Sequence, residues 1–198
     1  MKWIAVTQRV EQFPSYNERR DALDQRWCQF LEACGYVPLL LPSCCADPVA
    51  LIDAVSVSGI LLTGGNSLQA YGGHAPERDA LERSLLSSAL ERRIPLIGVC
   101  RGMQVIQDYF GVPLERVAGH IAIKQEVVVQ GRVEFVNSYH EWGAQQTVPF
   151  LKPWAVAADG VIEAVSHQEA PIHGIMWHPE RFEVFRQWDL EWFRSVFG

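Results

Sequence analysis

The chain opens on an apolar stretch at Trp3 to Val6, and residues 3–8 read as a strand. Residues 18–34 then carry helical spacing, with Leu23, Trp27, Phe30 and Leu31 on one side and Gly35 as the stop. Val37 to Leu41 is a continuous apolar run ending at Pro42, the pattern of a strand buried on both faces. Residues 47–56 predict a short helix, and Gly59 to Leu62 a second buried strand that runs into Thr63-Gly64-Gly65-Asn66. A charged, amphipathic helix is expected over 77–92, then a third buried strand from Pro95 to Val99 followed at once by a helix through Phe110. Strands alternating with helices imply a parallel sheet with right-handed crossovers.

The last third has a different rhythm. Gln125 to Gln130 and Arg132 to Val136 predict antiparallel strands around Gly131. Trp154 to Ala158, Val161 to Val165 and Ile172 to Met176 predict further short strands. A final helix is expected over 184–196, with Trp188, Trp192 and Phe193 facing inward. The expected fold is α/β, an open and mostly parallel sheet with additional antiparallel strands in the C-terminal third, in a single domain over 1–198.

Composition narrows the function classes. The chain has 198 residues, 48% of them hydrophobic, enough for one domain with a real core. Its 17 basic and 23 acidic side chains give a net charge of -6, and no basic cluster stands out, which argues against a nucleic-acid partner. No run of about 18 apolar residues occurs, so no membrane-spanning helix is expected. The start lacks the features of an export signal, so a cytoplasmic location is expected. The five cysteines, Cys28, Cys34, Cys44, Cys45 and Cys100, are an odd set for an exported protein and read as free thiols. None forms a CxxC pair, and nothing else in the sequence asks for a metal or an organic cofactor.

One cysteine differs from the rest. In Ile94-Pro95-Leu96-Ile97-Gly98-Val99-Cys100-Arg101-Gly102-Met103-Gln104 an apolar strand runs into G-x-C-x-G and then a helix, the nucleophile-elbow pattern with cysteine in place of serine. Such a turn strains the nucleophile's backbone, and the flanking glycines allow close approach of neighbouring chain. The sulfur would sit at the carboxyl edge of the sheet and at a helix N-terminus, which favours thiolate. The Arg101 N–H would point into the same space as an oxyanion donor. The same pentapeptide also suits a core cysteine between two packing glycines. Of six histidines, His178 ends the apolar strand Gly174-Ile175-Met176-Trp177-His178-Pro179-Glu180. In extended chain residues i and i+2 point the same way, so Glu180 could fix the His178 tautomer as a triad acid does. A surface loop with a chance His and Glu is the alternative.

Four segments together carry a resemblance: Leu62-Thr63-Gly64-Gly65-Asn66, the Cys100 elbow, Val136-Asn137-Ser138-Tyr139-His140, and Gly174 to Glu180. The chain resembles the class I glutamine amidotransferase-like proteins, and within them the γ-glutamyl hydrolase branch, over nearly its whole length. The resemblance implies a Cys100–His178–Glu180 triad on a flavodoxin-like three-layer sandwich, with the Gly65 and Arg101 N–H groups as the oxyanion hole. It implies that Gly64, Asn66, Gln104, Asn137, Ser138 and Tyr139 surround a glutamyl group, with His140 either a further contact or the holder of a structural hydrogen bond. The branch often continues its N-S-x-H segment with His-Gln; Glu141-Trp142 stands here instead, which alters the amine side of the pocket unless Trp142 simply packs.

Thr7-Gln8-Arg9-Val10 and Tyr16-Asn17-Glu18-Arg19-Arg20-Asp21 admit two readings. One is strand end, loop and a solvated helix start with Glu18 and Asp21 at its favourable dipole end. The other is similarity to γ-glutamyl-CDP-amidate hydrolases, a subset tied to phosphoramidate chemistry in bacterial capsule polysaccharide, in which Arg9, Arg19 and Arg20 would meet a phosphate-bearing leaving group. The function expected is cysteine-dependent hydrolysis of a small-molecule γ-glutamyl amide. The alternatives are a glutaminase subunit feeding ammonia to a separate synthetase, or a non-catalytic binding protein; a homodimer is compatible with all three. Cys100 should alkylate far faster than Cys28, Cys34, Cys44 or Cys45; equal labelling of the five thiols in native protein, read by peptide mass, would refute this.

Overall fold

The computed structural model describes residues 2–129 and 131–198; Met1 and Gln130, the expected end of one strand, lie outside them. The N-terminal half contains β1 (Lys2–Val6), β2 (Arg9–Phe13), β3 (Glu18–Ala22), α1 (Arg26–Cys34), β4 (Tyr36–Leu40), α2 (Pro48–Val55), β5 (Gly59–Leu62) and α3 (Pro76–Arg92). The remainder contains β6 (Leu96–Val99), α4 (Arg101–Tyr109), β7 (Glu115–Arg116), β8 (Ile121–Val129), β9 (Arg132–Tyr139), β10 (Trp142–Gly143), β11 (Leu151–Ala157), β12 (Ile162–His167), β13 (Ile172–Ile175) and α5 (Gln187–Phe197).

Nine strands form one sheet in the order β4-β1-β5-β6-β13-β12-β11-β8-β9. The first five are mutually parallel. From β13 onward the pairing turns antiparallel, through β12, β11, β8 and β9. The order of the parallel half is that of flavodoxin-like sheets, whose ligands bind beyond the carboxyl ends of the strands beside the point where chain order reverses. Here those ends carry Thr7, Thr63, Cys100 and, from β13, His178.

Helices on both faces explain the continuous apolar runs of β1, β5 and β6, whereas the run expected to be buried on both faces at Val37–Leu41 forms the edge strand β4, where Val37, Pro38 and Leu39 are half-buried and Leu40 is exposed. Ile4, Val6, Leu61, Ile97 and Val99 pack with Trp27, Phe30 and Leu31 of α1 and Phe193 and Phe197 of α5. The alternate residues Ala5, Ile60, Leu62 and Leu96 pack with Ile52 of α2, Leu81, Leu85 and Leu86 of α3, and Val105 and Ile106 of α4. Each large side chain so buried contributes about 1.5–3 kcal/mol of transfer free energy. No helix among the described residues is long and apolar enough to cross a membrane.

The structure departs from the sequence expectation in one place that bears on function. Residues 18–22 are not the start of a helix. Glu18–Ala22 is β3, paired antiparallel with β2 from Arg9↔Ala22 to Phe13↔Glu18. Asn17, with φ 51°, makes the reversal between them. The helix starts only at Arg26, where the Asp24 carboxylate accepts from the Arg26 N–H at 3.0 Å and the Asp24 carbonyl from the Trp27 N–H at 3.0 Å. Glu18 and Asp21 therefore hold no helix dipole. Leu23 still reaches the core ahead of α1, which is why the helical spacing runs on without a break. Elsewhere the differences are at ends: β8 and β9 run longer than their apolar cores, and α5 begins at Gln187.

Candidate active site

Cys100 links β6 to α4 with φ 53° and ψ -106°, a conformation that a side chain bearing Cβ rarely adopts. The surroundings hold it there. Its N–H donates to the Ile175 carbonyl at 2.7 Å, and its carbonyl accepts from the Gln104 N–H at 3.1 Å. A Cβ on Gly98 would lie 2.5 Å from the Gly102 backbone, and one on Gly102 would collide with the Leu62 carbonyl oxygen. Both glycines are thus required for α4 to pack this closely over β5 and β6. Cys100 is 7% exposed at the N-terminus of α4.

His178 faces it. Its Nδ1 lies 2.7 Å from Glu180 Oε1, and its ring and the Cys100 side chain both border Gly64. A Cβ on Gly64 would stand 2.7 Å from His178 Cε1 and 3.5 Å from Cys100 Cβ, so only glycine fits beside the pair. Burial opposes charge on His178, but the Glu180 carboxylate and a Cys100 thiolate outweigh it and lift the imidazole pKa to about 9. Asn137 fixes the histidine from behind: its Oδ1 accepts from the His178 N–H at 2.7 Å and its Nδ2 donates to the His178 carbonyl at 2.8 Å. Tyr139 sets its ring edge-on to His178, centroids 5.7 Å apart. The backbone carbonyl of Glu180 accepts from Arg26 Nε at 2.5 Å, tying the turn to α1.

The Thr63–Asn66 turn is held from inside by a residue that sequence reasoning missed. Arg78, completely buried on α3, donates to the carbonyls of Thr63 (2.7 Å), Gly64 (3.1 Å) and Gly65 (2.5 Å). With three successive carbonyls turned toward one guanidinium, the orientation of the intervening N–H groups is set. Glu82, one turn on, accepts from Arg78 Nε at 2.9 Å and from Thr7 Oγ1 at 2.7 Å, and also pairs with Arg101, which pairs in turn with Asp79. Burial draws the Arg78 pKa down to about 10 against the pull of Glu82. Burial would raise Glu82, but the Arg101 and Arg78 guanidinium groups hold its carboxyl below the usual range. The two cations and two anions leave this buried cluster neutral. Nothing in the sequence distinguishes Arg78 and Glu82 from the exposed charges of the same helix.

Beside Gly64 and Gly65 opens a cavity of about 270 Å³, bounded by His178 and the β2–β3 hairpin. Arg9 lines it and stacks its side chain against Gly65, whose φ is 85°. Glu11, Asp24 and Arg181 complete its polar wall. The sequence does not single out Arg181, although it directly follows Glu180; its guanidinium lies 4.6 Å over the Tyr139 ring.

Other expected substrate contacts lie apart from this cavity. Arg19 pairs with Glu77 and donates to the His74 carbonyl, while Arg20 pairs with Glu18 and covers Phe13. Asn66 engages the Val10 backbone with both ends of its amide, at 2.8 and 2.9 Å, and so ties the hairpin to the glycine turn. Gln104 donates to the Trp142 carbonyl at 2.9 Å. Ser138 donates to the His120 carbonyl at 2.5 Å, and His140 is buried against Glu163 and Trp142. Trp142 packs on Tyr71, centroids 4.9 Å apart, and Glu141 points to solvent. Among the other thiols, burial pushes Cys34 up to about 12, and burial with the nearby Glu32 raises Cys28.

Known proteins resemble this chain in sequence and in fold. A γ-glutamyl-CDP-amidate hydrolase of Campylobacter jejuni is 31% identical over 202 aligned residues, spanning 94% of this chain and 96% of that protein. A γ-glutamyl-γ-aminobutyrate hydrolase of Escherichia coli O157:H7 is 31% identical, spanning 80% of this chain and 78% of its own. A solved structure from Thermoplasma acidophilum, provisionally named as part of a GMP synthase, superposes with a TM-score of 0.75 over 100% of this chain and 93% of that one at 20% identity, a likeness of fold. The family model described as Peptidase C26 matches residues 3–116 and 120–180, and the chain belongs to that family.

Proposed function

We propose that the protein hydrolyses a γ-glutamyl amide bond through a γ-glutamyl thioester on Cys100. The observation that carries this is the strained Cys100 held against a His178 whose other nitrogen is bound by Glu180. The thiolate attacks the γ-carbonyl carbon while the N–H groups of Gly65 and Arg101 receive the developing oxyanion. The C–N bond breaks as His178 gives its proton to the departing nitrogen. Neutral His178 then takes a proton from water, which attacks the thioester, releases glutamate and restores the thiolate–imidazolium pair.

The finer proposal is that the departing nitrogen belongs to a phosphoramidate, as the name of the Campylobacter relative suggests. The support within this chain is the cavity beside His178, where Arg9 and Arg181 offer cationic hydrogen-bond donors among the carboxylates of Glu11, Asp24 and Glu180. Glu11 partly offsets Arg9, so the anionic group would have to displace that ion pair.

Product masses from γ-glutamyl-CDP-amidate, γ-glutamyl-γ-aminobutyrate and glutamine should rank the phosphoramidate first. Cys100→Ala should lose about 10³-fold or more on all three, and Arg9→Ala should weaken only the phosphoramidate, through KM. Undiminished turnover in Cys100→Ala would refute the mechanism, and an equal effect of Arg9→Ala on all three substrates would refute the leaving group. Separately, Arg78→Lys should lower kcat by about 10²-fold, the scale of one lost oxyanion donor, while Cys100 still alkylates fully. A kcat within twofold of the parent would show that the Thr63–Asn66 turn does not need the guanidinium.

A further inference from the structure

Behind Gln104, away from the cavity, lies a second cluster that the proposed hydrolysis leaves unused. His120 precedes β8, His140 follows β9, and Glu163 sits on β12; all three are buried. Their ligand atoms lie within 4.8 Å of one another. Glu163 Oε1 is 3.0 Å from His120 Nδ1 and 3.3 Å from His140 Nε2. Neither contact is aligned as a hydrogen bond, and among the described residues Glu163 Oε1, Glu163 Oε2 and His140 Nε2 have no aligned partner. Unpaired polar atoms at this depth are costly and call for a cause.

The outer contacts assign the tautomers. His140 Nδ1 lies 3.1 Å from the Trp142 carbonyl, which can only accept, so that nitrogen carries the hydrogen. His120 Nε2 lies 2.9 Å from the Asp159 carboxylate and is likewise the donor. In the neutral rings His140 Nε2 turns its lone pair on Glu163, while His120 Nδ1, 3.0 Å from the same carboxylate, accepts from the Gln125 amide N–H at 2.8 Å. A lone pair set against a carboxylate is repelled unless a proton or a metal ion lies between them. A histidine that donates its outer N–H to a carboxylate or a backbone carbonyl while turning its other nitrogen inward is the arrangement of metal-binding imidazoles. At bond lengths of about 2.0–2.2 Å, neighbouring ligands of a tetrahedral ion lie roughly 3.3–3.6 Å apart, against 3.0 and 3.3 Å from the carboxylate oxygen to the two imidazole nitrogens. Gln125 offers a fourth oxygen: its Nε2 is 2.8 Å from His120 Nδ1 and its Oε1 has no partner, so turning the amide over brings Oε1 to the same point.

We propose that His120, His140 and Glu163 form a binding site for a divalent transition-metal ion of the zinc type, with Asp159 and the Trp142 carbonyl orienting the two imidazoles. The site is structural. It would join the β8–β9 hairpin to β12 and fix the Trp142 carbonyl, which also accepts from Gln104. The cysteine spacings exclude a thiolate zinc site and are silent on this one, since its ligands are scattered over forty-odd residues and meet only across the sheet.

The test is a Co²⁺ titration of chelator-dialysed protein carrying Cys100→Ser, which removes the thiol of the other site. About one equivalent should bind and give visible d–d absorption without thiolate-to-cobalt charge transfer, and Zn²⁺ should displace it. Asp159→Asn, at a half-exposed position, should weaken binding by about 10–100-fold with an unchanged circular dichroism spectrum, and Glu163→Gln should abolish it. A folded chain that takes up neither Co²⁺ nor Zn²⁺, a spectrum with thiolate bands, or an unchanged affinity in Asp159→Asn would each overturn the proposal.

Discussion

The structure is organised around the backbone of one residue. Cys100 has a positive φ in a place where nothing but tight packing can keep it, and the packing requires Gly98 and Gly102. Such strain costs of order 1–3 kcal/mol and persists only when the surroundings over-determine it. What it secures is geometry: the sulfur is lifted out of the sheet, set at the N-terminus of α4, and turned toward the end of β13 where His178 lies. The flavodoxin-like strand order matters because it makes β5, β6 and β13 neighbours and so brings the three loops together at one edge.

The second organising feature is a neutral block of buried charge under that edge. Arg78, Glu82, Arg101 and Asp79 bind one another, Thr7, and the carbonyls of the glycine turn. Buried ion pairs are weak contributors to net stability, but removing one partner strands the other and costs several kcal/mol. The block therefore serves position more than stability: it holds the backbone that would receive an oxyanion. Asn137 does the same for His178, and Asn66 for the β2–β3 hairpin. Several residues expected to touch substrate instead orient the residues that would.

That pattern explains what could be read from the chain. The alternation of strands and helices, the elbow and the H-P-E turn follow from local signals: continuous apolar strands, glycines at fixed offsets, a proline. The β2–β3 hairpin was hidden because Glu18-Arg19-Arg20-Asp21 has no apolar alternation, while Leu23 extends the helical spacing of Trp27, Phe30 and Leu31 backward by one turn. Arg78 and Glu82 were hidden because an i, i+4 pair on a charged helix has the same sequence signature buried or exposed. His140 belongs to the segment that holds His178 in place, yet its side chain turns to the opposite side, toward Glu163, a choice of strand face that depends on where β9 ends.

The central claim is that Cys100 and His178 form a thiolate–imidazolium pair whose imidazolium is sustained by Glu180. The direct measurement is the pH dependence of kcat/KM for γ-glutamyl hydrolysis in the parent chain and in Glu180→Gln. His178 acts as a cation, so activity should persist below its pKa and fall as pH rises through about 9. In Glu180→Gln the same fall should move toward the ordinary imidazole value near 6.5. An alkaline fall already near 6.5 in the parent chain, or one that Glu180→Gln does not move, would contradict the account.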